Sequence, residues 1–227
     1  MQIHKIATFN IRHGRGLDDA VDLKRTATAI ADTGADLIAL QELDRGFERS
    51  GGIDQPAALQ ELSGLVVTFW PTVRRAGREY GFAVACEVAL AGEWHDLPRR
   101  AEEEPRGAVA VRWRGLHVVA THLSTDRGAR RLQTDELLRV ASDLPAPVVV
   151  VGDLNQGRWG LRGFRRSGFD LGRKTEHTHT PSALRAQIDF VLAGPGCRLA
   201  ATTTVTSDAS DHVPLLAEVA VPDPPFE

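Results

Sequence analysis

Apolar residues recur along the whole chain in short alternating or continuous blocks, separated by Gly-, Pro- and Asp-rich turns. Ile3 to Ile11 reads as a strand. Leu23, Ala27, Ile30 and Ala31 come next at helical spacing, then a stop at Gly34 and a second apolar run from Leu37 to Leu40. This is a strand–helix–strand unit, and a crossover of that kind makes its two strands parallel. Asn10 and Glu42, each just at the end of its strand, are therefore expected on one shared edge of the sheet, where sites gather in α/β folds.

A short helix is predicted over Gln55 to Ser63, with Asp54 as its N-cap, Pro56 in its first turn and Gly64 after its end. Beyond Gly64 strands dominate. LVVTFW, YGFAVACEVAL, GAVAVRW and LHVVATHLS fit strands, and Arg114 with Gly115 joins the last two as an antiparallel hairpin. A helix from about Gly128 to Leu144, with Leu137, Val140, Ala141 and Leu144 on one face, leads through Pro145 and Pro147 into VVVVGDLN. Four consecutive valines suit a strand buried on both faces. QIDFVLA and PLLAEVAV are shorter strands. Parallel and antiparallel connections together require mixed pairing. Two mixed sheets packed face to face with helices outside satisfy the pattern, and so does one large sheet. The pattern runs through residues 1–227 without a linker or repeat, so a single domain is expected, and the terminal VPDPPFE is its longest biased tract.

Composition narrows the class. With 42% hydrophobic and 25% charged residues the chain can fill a sizeable core, which excludes disordered, collagen-like and coiled-coil classes. No apolar run approaches the roughly 20 residues of a membrane span, and Met1 leads straight into HKIATFNI with no hydrophobic signal core. A cytoplasmic protein without an integral membrane segment is expected. Cys86 and Cys197 are too few for a disulfide scaffold or a Cys-based zinc site, though they allow one bridge. Lys5, Lys24 and Lys174 are the only lysines, so arginine richness reflects codon usage more than phosphate binding. Arg162, Arg165, Arg166, Arg173 and Lys174 read as a solvated helix face in preference to a local patch that meets a nucleic-acid backbone.

Polar residues at the ends of buried strands are chemically informative, because burying a carboxylate or amide without a partner costs several kcal/mol, roughly 2 to 7. The chain has six such places: Asn10, Glu42, His122, Asp153 with Asn155, Asp189, and Asp211 with His212. Singly, each has a structural explanation as a turn, cap or loop residue. Together, carboxylates, amides and two histidines at strand ends supply the parts for magnesium-assisted attack of water on a phosphate. Mg²⁺ prefers one or two carboxylates, several waters and substrate oxygens. A histidine can take the water's proton, and a carboxylate behind it fixes its tautomer.

In order, the segments FNIRHG, LQELDRG, EPRGAV, THLS, GDLN, QIDFVL and SDHVPLLAEV resemble the motif series of the endonuclease/exonuclease/phosphatase superfamily over essentially the whole chain. The resemblance implies a four-layer α/β fold: two mixed β-sheets face to face with helices on the outside. It implies that Glu42 is the principal Mg²⁺ ligand, with Asn10 beside it holding metal-bound water or a phosphate oxygen and Asp211 as the second carboxylate on the metal side. His212 is similar to the general base, oriented by Asp189, while Asp153 and Asn155 resemble the pair that positions the attacking water and the scissile phosphate. The family assigns the base to either Asp153 or His212. His122 stands where deoxyribonuclease I, sphingomyelinases and inositol 5-phosphatases carry histidine and AP endonucleases carry tyrosine. It would contact the phosphate or protonate the leaving oxygen. Arg106 in EPRGAV fits a family arginine near the substrate. Phe82 departs from the pattern, which commonly has an amide there.

The expectation is a Mg²⁺-dependent phosphoesterase, with Mn²⁺ as a possible substitute, hydrolysing a phosphodiester or phosphomonoester. The net charge of −3 lacks a duplex binder's basic footprint. With His122 and an apolar Phe82, this favours a small or lipid-derived phosphoester over nucleic acid. Alternatives are a DNA endonuclease or exonuclease of the same superfamily and a non-catalytic interaction module on the same fold.

Overall fold

The first apolar block forms β1 (Gln2–Asn10), and α1 (Leu23–Asp32) leads to β2 (Leu37–Arg45). The structure is a computed structural model that describes residues 1–175, 177–179 and 186–222; the Pro-rich tail from residue 223 on lies outside the described residues. Asp22 caps α1 by accepting from the backbone N–H groups of Lys24 and Arg25, and Asp54 caps α2 (Gln55–Ser63), which Gly64 ends in a left-handed conformation. Strands β3 (Val66–Arg75), β4 (Arg78–Cys86), β5 (Gly92–Asp96), β6 (Gly107–Trp113) and β7 (Leu116–His122) come next, then α3 (Arg127–Asp143). The chain continues with β8 (Val148–Asp153), the short α4 (Arg162–Arg166), β9 (Asp189–Ala193), β10 (Arg198–Thr204) and β11 (Leu215–Val221). Arg114 and Gly115 both have positive φ, the requirement of a tight hairpin whose twist matches its strands.

These strands make two mixed sheets, one of six in the order β10-β11-β1-β2-β4-β3 and one of five in the order β5-β6-β7-β8-β9. Their facing sides share one apolar cluster that includes Ile6, Leu37, Val84, Val109, Val118 and Val149. The outer side of the six-stranded sheet packs Phe9, Ile38 and Leu40 against Leu23 and Ile30 of α1 and Leu59 of α2. The outer side of the five-stranded sheet packs Val119, Val148 and Val150 against Leu137 and Val140 of α3 and Phe164 of α4. The result is the four-layer sandwich, and the one-sheet alternative is excluded. β8 is buried at all six positions, because both of its faces are covered. Both cysteines are free. No helix among the described residues is long and apolar enough to cross a membrane.

Two strands escaped the pattern reading. β5 and β10 are the outermost strands of their sheets, and most of their residues are exposed or half-buried, so neither shows clean alternation. The basic segment also differs from the expected helix face. α4 covers only Arg162–Arg166, and Arg173 and Lys174 lie on the loop beyond it.

Candidate active site

Strand register builds the centre of the site. His122 is the cross-strand partner of Asp153 in the parallel β7–β8 pair, and Asp153 is the partner of Asp189 in the antiparallel β8–β9 pair, so three ionisable residues occupy one rung of the five-stranded sheet. Gly152 makes this close pairing possible. Its φ is 151°, and a Cβ there would sit 2.0 Å from the carbonyl oxygen of Thr121. His212, in the loop before β11, closes over the rung, with Nδ1 2.9 Å from Asp189 Oδ2 and Nε2 3.8 Å from Asp153 Oδ2.

The other sheet contributes Asn10 and Glu42. Asn10 ends β1, is buried, and donates through Nδ2 to Glu42 Oε1 and to Asp153 Oδ2, both at 3.0 Å. That one amide joins the two sheets. Glu42 lies within β2, where the β2–β4 register shifts between Gln41 and Leu43, and its φ is 64°. The strand thus runs past the end of the apolar run, and a bulge turns Glu42 out of the ladder toward Asn10. A left-handed backbone costs a non-glycine residue about 1–2 kcal/mol, which the paired strands on either side sustain.

Burial and charge then set the proton positions. Arg106 Nη1 lies 3.0 Å from His122 Nδ1. A guanidinium only donates, so Nδ1 accepts and the ring proton is on Nε2. That N–H faces Asp153, with Nε2 3.6 Å from Oδ2. Burial, then Arg106 and His212, depress the pKa of His122 well below the ordinary imidazole value, so the ring is a neutral donor. His212 is the opposite case. Burial opposes its charge, but Asp189, Asp153 and Asp211 outweigh that and raise its pKa to about 10. Burial and the neighbouring Asp189 carboxylate push Asp153 up to about 7. Each of these two buried groups is therefore shifted toward holding its proton, with His212 Nε2 3.8 Å from Asp153 Oδ2.

Asn155 has a φ of 50°, donates its backbone N–H to Asp153 Oδ1 at 2.9 Å, and donates Nδ2 to the Leu123 carbonyl at 2.9 Å. β8 ends at Asp153, so Asn155 reaches its place through a turn and not by strand alternation. Asp211 Oδ1 accepts from Ser210 Oγ at 3.2 Å, and Asp211 Oδ2 lies 3.5 Å from Arg12 Nε. Ser210 Oγ also donates to the Asn10 carbonyl at 2.8 Å, tying this loop to β1.

Two sets of residues bear on a metal. Asp153, Asp189 and His212 form a group whose ligand atoms lie within 4.8 Å of one another, close enough to hold an ion. Glu42 and Asp211 supply the oxygen donors that a hard divalent cation prefers. Asn10 stands beside Glu42. Its Oδ1 accepts from the Arg12 N–H at 3.0 Å while Nδ2 serves the carboxylates, so it orients Glu42. The group of Asp153, Asp189 and His212 fits a divalent cation, since the buried Asp189 Oδ1 is left without a hydrogen-bond partner.

One expectation fails. Phe82 is buried in the core between the sheets, stacked on Trp94 with centroids 5.9 Å apart, and does not face substrate. Its position on the inner face of β4 directs it away from the sheet edge. Several contributors were not singled out from sequence. Thr178 Oγ1 accepts from the backbone N–H groups of Ile188 and Asp189, both at 3.1 Å, and His179 packs edge-on against His212 with centroids 4.8 Å apart. Both lie in the polar segment HTHT, which carries no apolar pattern to place it; the His-Thr alternation was its one signal. Arg106 acts on His122 and on Glu104, with Nη2 3.3 Å from Glu104 Oε2.

The same architecture recurs in solved structures. An endonuclease/exonuclease/phosphatase from Beutenbergia cavernae DSM 12333 is 22% identical with a TM-score of 0.77, over 97% of this chain and 72% of that one. The mannosyl-6-phosphatase Bt3783 of Bacteroides thetaiotaomicron VPI-5482 is 13% identical with a TM-score of 0.70, covering 96% of this chain and 99% of that one. A humanized D. rerio TDP2 is 16% identical with a TM-score of 0.69, covering 96% and 99%. At these identities the likeness is one of fold. No curated protein sequence matches the chain significantly. The sequence profile of the endonuclease/exonuclease/phosphatase family, however, matches residues 7–212, which span the site from β1 to His212, and the chain belongs to that family.

Proposed function

We propose that the protein hydrolyses a phosphodiester or phosphomonoester by in-line attack of water, with Mg²⁺ as its cofactor and Mn²⁺ as a substitute. The observation that carries this reading is the rung of His122, Asp153 and Asp189 closed by His212, with Asn10 linking it to Glu42 on the other sheet. Glu42 and Asp211 would hold the cation, which as a Lewis acid offsets charge on the phosphoryl oxygens. Asp153 and Asn155 position the attacking water, and its proton passes to the Asp153–His212 pair. Asp189 holds His212 by Nδ1, so that Nε2 faces the reacting atoms. His122 donates its Nε2–H to a phosphate oxygen or to the leaving oxygen, and Arg106 keeps that proton on Nε2. A non-catalytic module has no use for three ionisable groups buried on one rung, since burying charge is costly unless it is paired.

The substrate preference drawn from Phe82 does not survive its burial, so only His122 and the overall charge still favour a small or lipid-derived phosphoester. Relatives of this fold carry names that include both a mannosyl-6-phosphatase and a TDP2. The chemistry is tested with bis-p-nitrophenyl phosphate. Hydrolysis in Mg²⁺ or Mn²⁺, abolished by EDTA and restored by added metal, is the expected result. Glu42→Gln should lower kcat about 100-fold or more with the fold intact. Activity within threefold of the parent at saturating Mg²⁺, a loss of less than about 0.7 kcal/mol in transition-state stabilisation, removes Glu42 from the site.

A further inference from the structure

Close to Glu42 stand two side chains, Arg49 and His13, that the proposed mechanism does not use. Arg49 belongs to the turn Glu48–Ser50 that follows β2. Two residues after Glu42, Asp44 is wholly buried, and its carboxylate accepts from Arg49 Nε at 2.8 Å, Arg49 Nη2 at 2.7 Å and Ser50 Oγ at 2.9 Å. The guanidinium carbon also lies 5.2 Å from the ring centre of Phe47 and 5.3 Å from that of Tyr80, the cross-strand partner of Asp44. Arg49 is thus clamped by a buried carboxylate and two rings. Its side chain is still 49% exposed, and Nη1 donates to no described residue. An arginine needed only to neutralise Asp44 could be buried with it; this one keeps a fixed donor edge at the surface.

His13 is held by the same network. Arg12, His13 and Gly14 all have positive φ, at 46°, 46° and 78°, a conformation unfavourable for the first two. Gln55 fixes this turn, because its Nε2 donates to the His13 carbonyl at 2.6 Å while its Oε1 accepts from the Asp44 N–H at 2.9 Å. His13 Nδ1 is buried and has no hydrogen-bond partner among the described residues. An orphaned buried N–H is rarer than an orphaned acceptor, so the ring proton sits on Nε2. Burial, then the Arg49 charge, lower the His13 pKa, and the ring is a neutral donor in the field of Arg49. Both side chains lie a short way along the chain from the candidate site. His13 is three residues after Asn10 and Asp44 is two after Glu42, and Asn10 Nδ2 donates to Glu42 Oε1 at 3.0 Å. The Glu42 charge is near enough to act on Arg49.

We propose that Arg49 and His13 form a second anion subsite beside Glu42, which holds a phosphate carried on the alcohol part of the substrate while the ester phosphate lies at the rung. The proposal rests on the phosphoesterase reading above and narrows its substrate to a small ester with a second phosphate. A phosphate offers three acceptor oxygens and can meet donors from two elements at once. Arg49 Nη1 and His13 Nε2–H are such donors. A neutral alcohol would leave the guanidinium edge without a charge partner.

Binding is read by NMR titration in EDTA, so that it depends on neither metal nor turnover. The probes are the bisphosphates of propane-1,3-diol and hexane-1,6-diol, each beside its own monophosphate, so that the second phosphate is the one difference and two spans are covered. At least one bisphosphate should bind about tenfold more tightly than its monophosphate, the size of one charge-assisted hydrogen bond, and should shift the Arg49 Nε–H and the His122 ring signals together. Arg49→Lys keeps a cation on Asp44 without the free donor edge, and Asp44→Asn with Arg49→Met removes the buried pair whole, leaving no lone charge. In both, the advantage should fall to about twofold, whereas a purely structural Arg49 would alter both affinities alike. His13→Asn, which suits the left-handed backbone, should reduce the advantage about threefold. No such advantage in the parent, an advantage unchanged in both Arg49 variants, or inorganic phosphate bound as tightly as the bisphosphates would each overturn the proposal. If the advantage is found but neither these esters nor bis-p-nitrophenyl phosphate is hydrolysed in Mg²⁺, the catalytic reading fails and the subsite stands. A parent that hydrolyses bis-p-nitrophenyl phosphate and shows no advantage loses the subsite alone.

Discussion

The two ends of the sandwich each bury a histidine, with opposite results. At the end away from the site, His4 of β1 lies edge-on against Trp113, with centroids 5.3 Å apart, and its Nε2 has no hydrogen-bond partner. Burial, then Arg114, lower its pKa. At the end that carries the candidate site His212 is nearly as buried, yet its pKa is raised by carboxylates on two sides. Burial alone makes an inert, neutral ring. Asp189 at hydrogen-bond distance and Asp153 3.8 Å away on the other side make a ring that holds its proton.

The largest effect expected from this contrast is on turnover. His212→Asn should lower kcat about 1,000-fold, in the range for loss of a positioned proton-transfer group, whereas His4→Asn should leave kcat within threefold. Steady-state kinetics of both variants on one diester decides it, and comparable losses would erase the distinction between the two ends.

Arg106 offers a smaller and sharper test. Arg106→Met should cost about tenfold in kcat, because it frees His122 to adopt either tautomer. The nitrogen NMR signals of the His122 ring should change from Nε2-protonated to a mixture of tautomers, a shift that mere loss of packing would not produce. A ring that keeps its proton on Nε2 in the variant means that another group fixes it.

The smallest effect is on the pH dependence of stability in metal-free protein. His212 has a folded pKa raised above 6.5, so its contribution is fully present below about 6.5 and is lost as the pH rises through about 10. His4 has a lowered folded pKa, so its contribution is present above 6.5 and is lost as the pH falls through the folded value. Urea midpoints measured from pH 5 to 10 should therefore fall less steeply on the alkaline side in His212→Asn and less steeply on the acid side in His4→Phe. The same slopes in both variants would show that the two rings titrate alike.

Much of the fold and of the candidate site was legible in the sequence, and the reasons for the gaps are physical. Elements with one clear burial pattern, such as α1, α2, β8 and the β6–β7 hairpin, lie where periodicity and capping place them. Edge strands β5 and β10 do not, because half-exposed edges carry little alternation. The chemical residues stood out as polar groups at the ends of apolar runs. Their mutual distances did not, because these depend on strand register, on the bulge at Glu42 and on the left-handed turn at Asn155. Phe82 shows the opposite failure. A motif position suggested a contact with substrate, while its parity along β4 sends it into the core.

The rung shared by His122, Asp153 and Asp189 also bears on how the protein loses activity when heated. His122 and Asp153 end β7 and β8, which are interior strands of their sheet, and their register is that of the valine ladder beneath them. Separating these side chains means opening the most protected part of the core, so the amides of β7 and β8 should belong to the slowest hydrogen-exchange class, released only by global unfolding. Thermal inactivation and loss of tertiary structure are then one transition. A protein that loses activity well below its melting temperature must have yielded first at Glu42 or in the loop before β11, not at the rung.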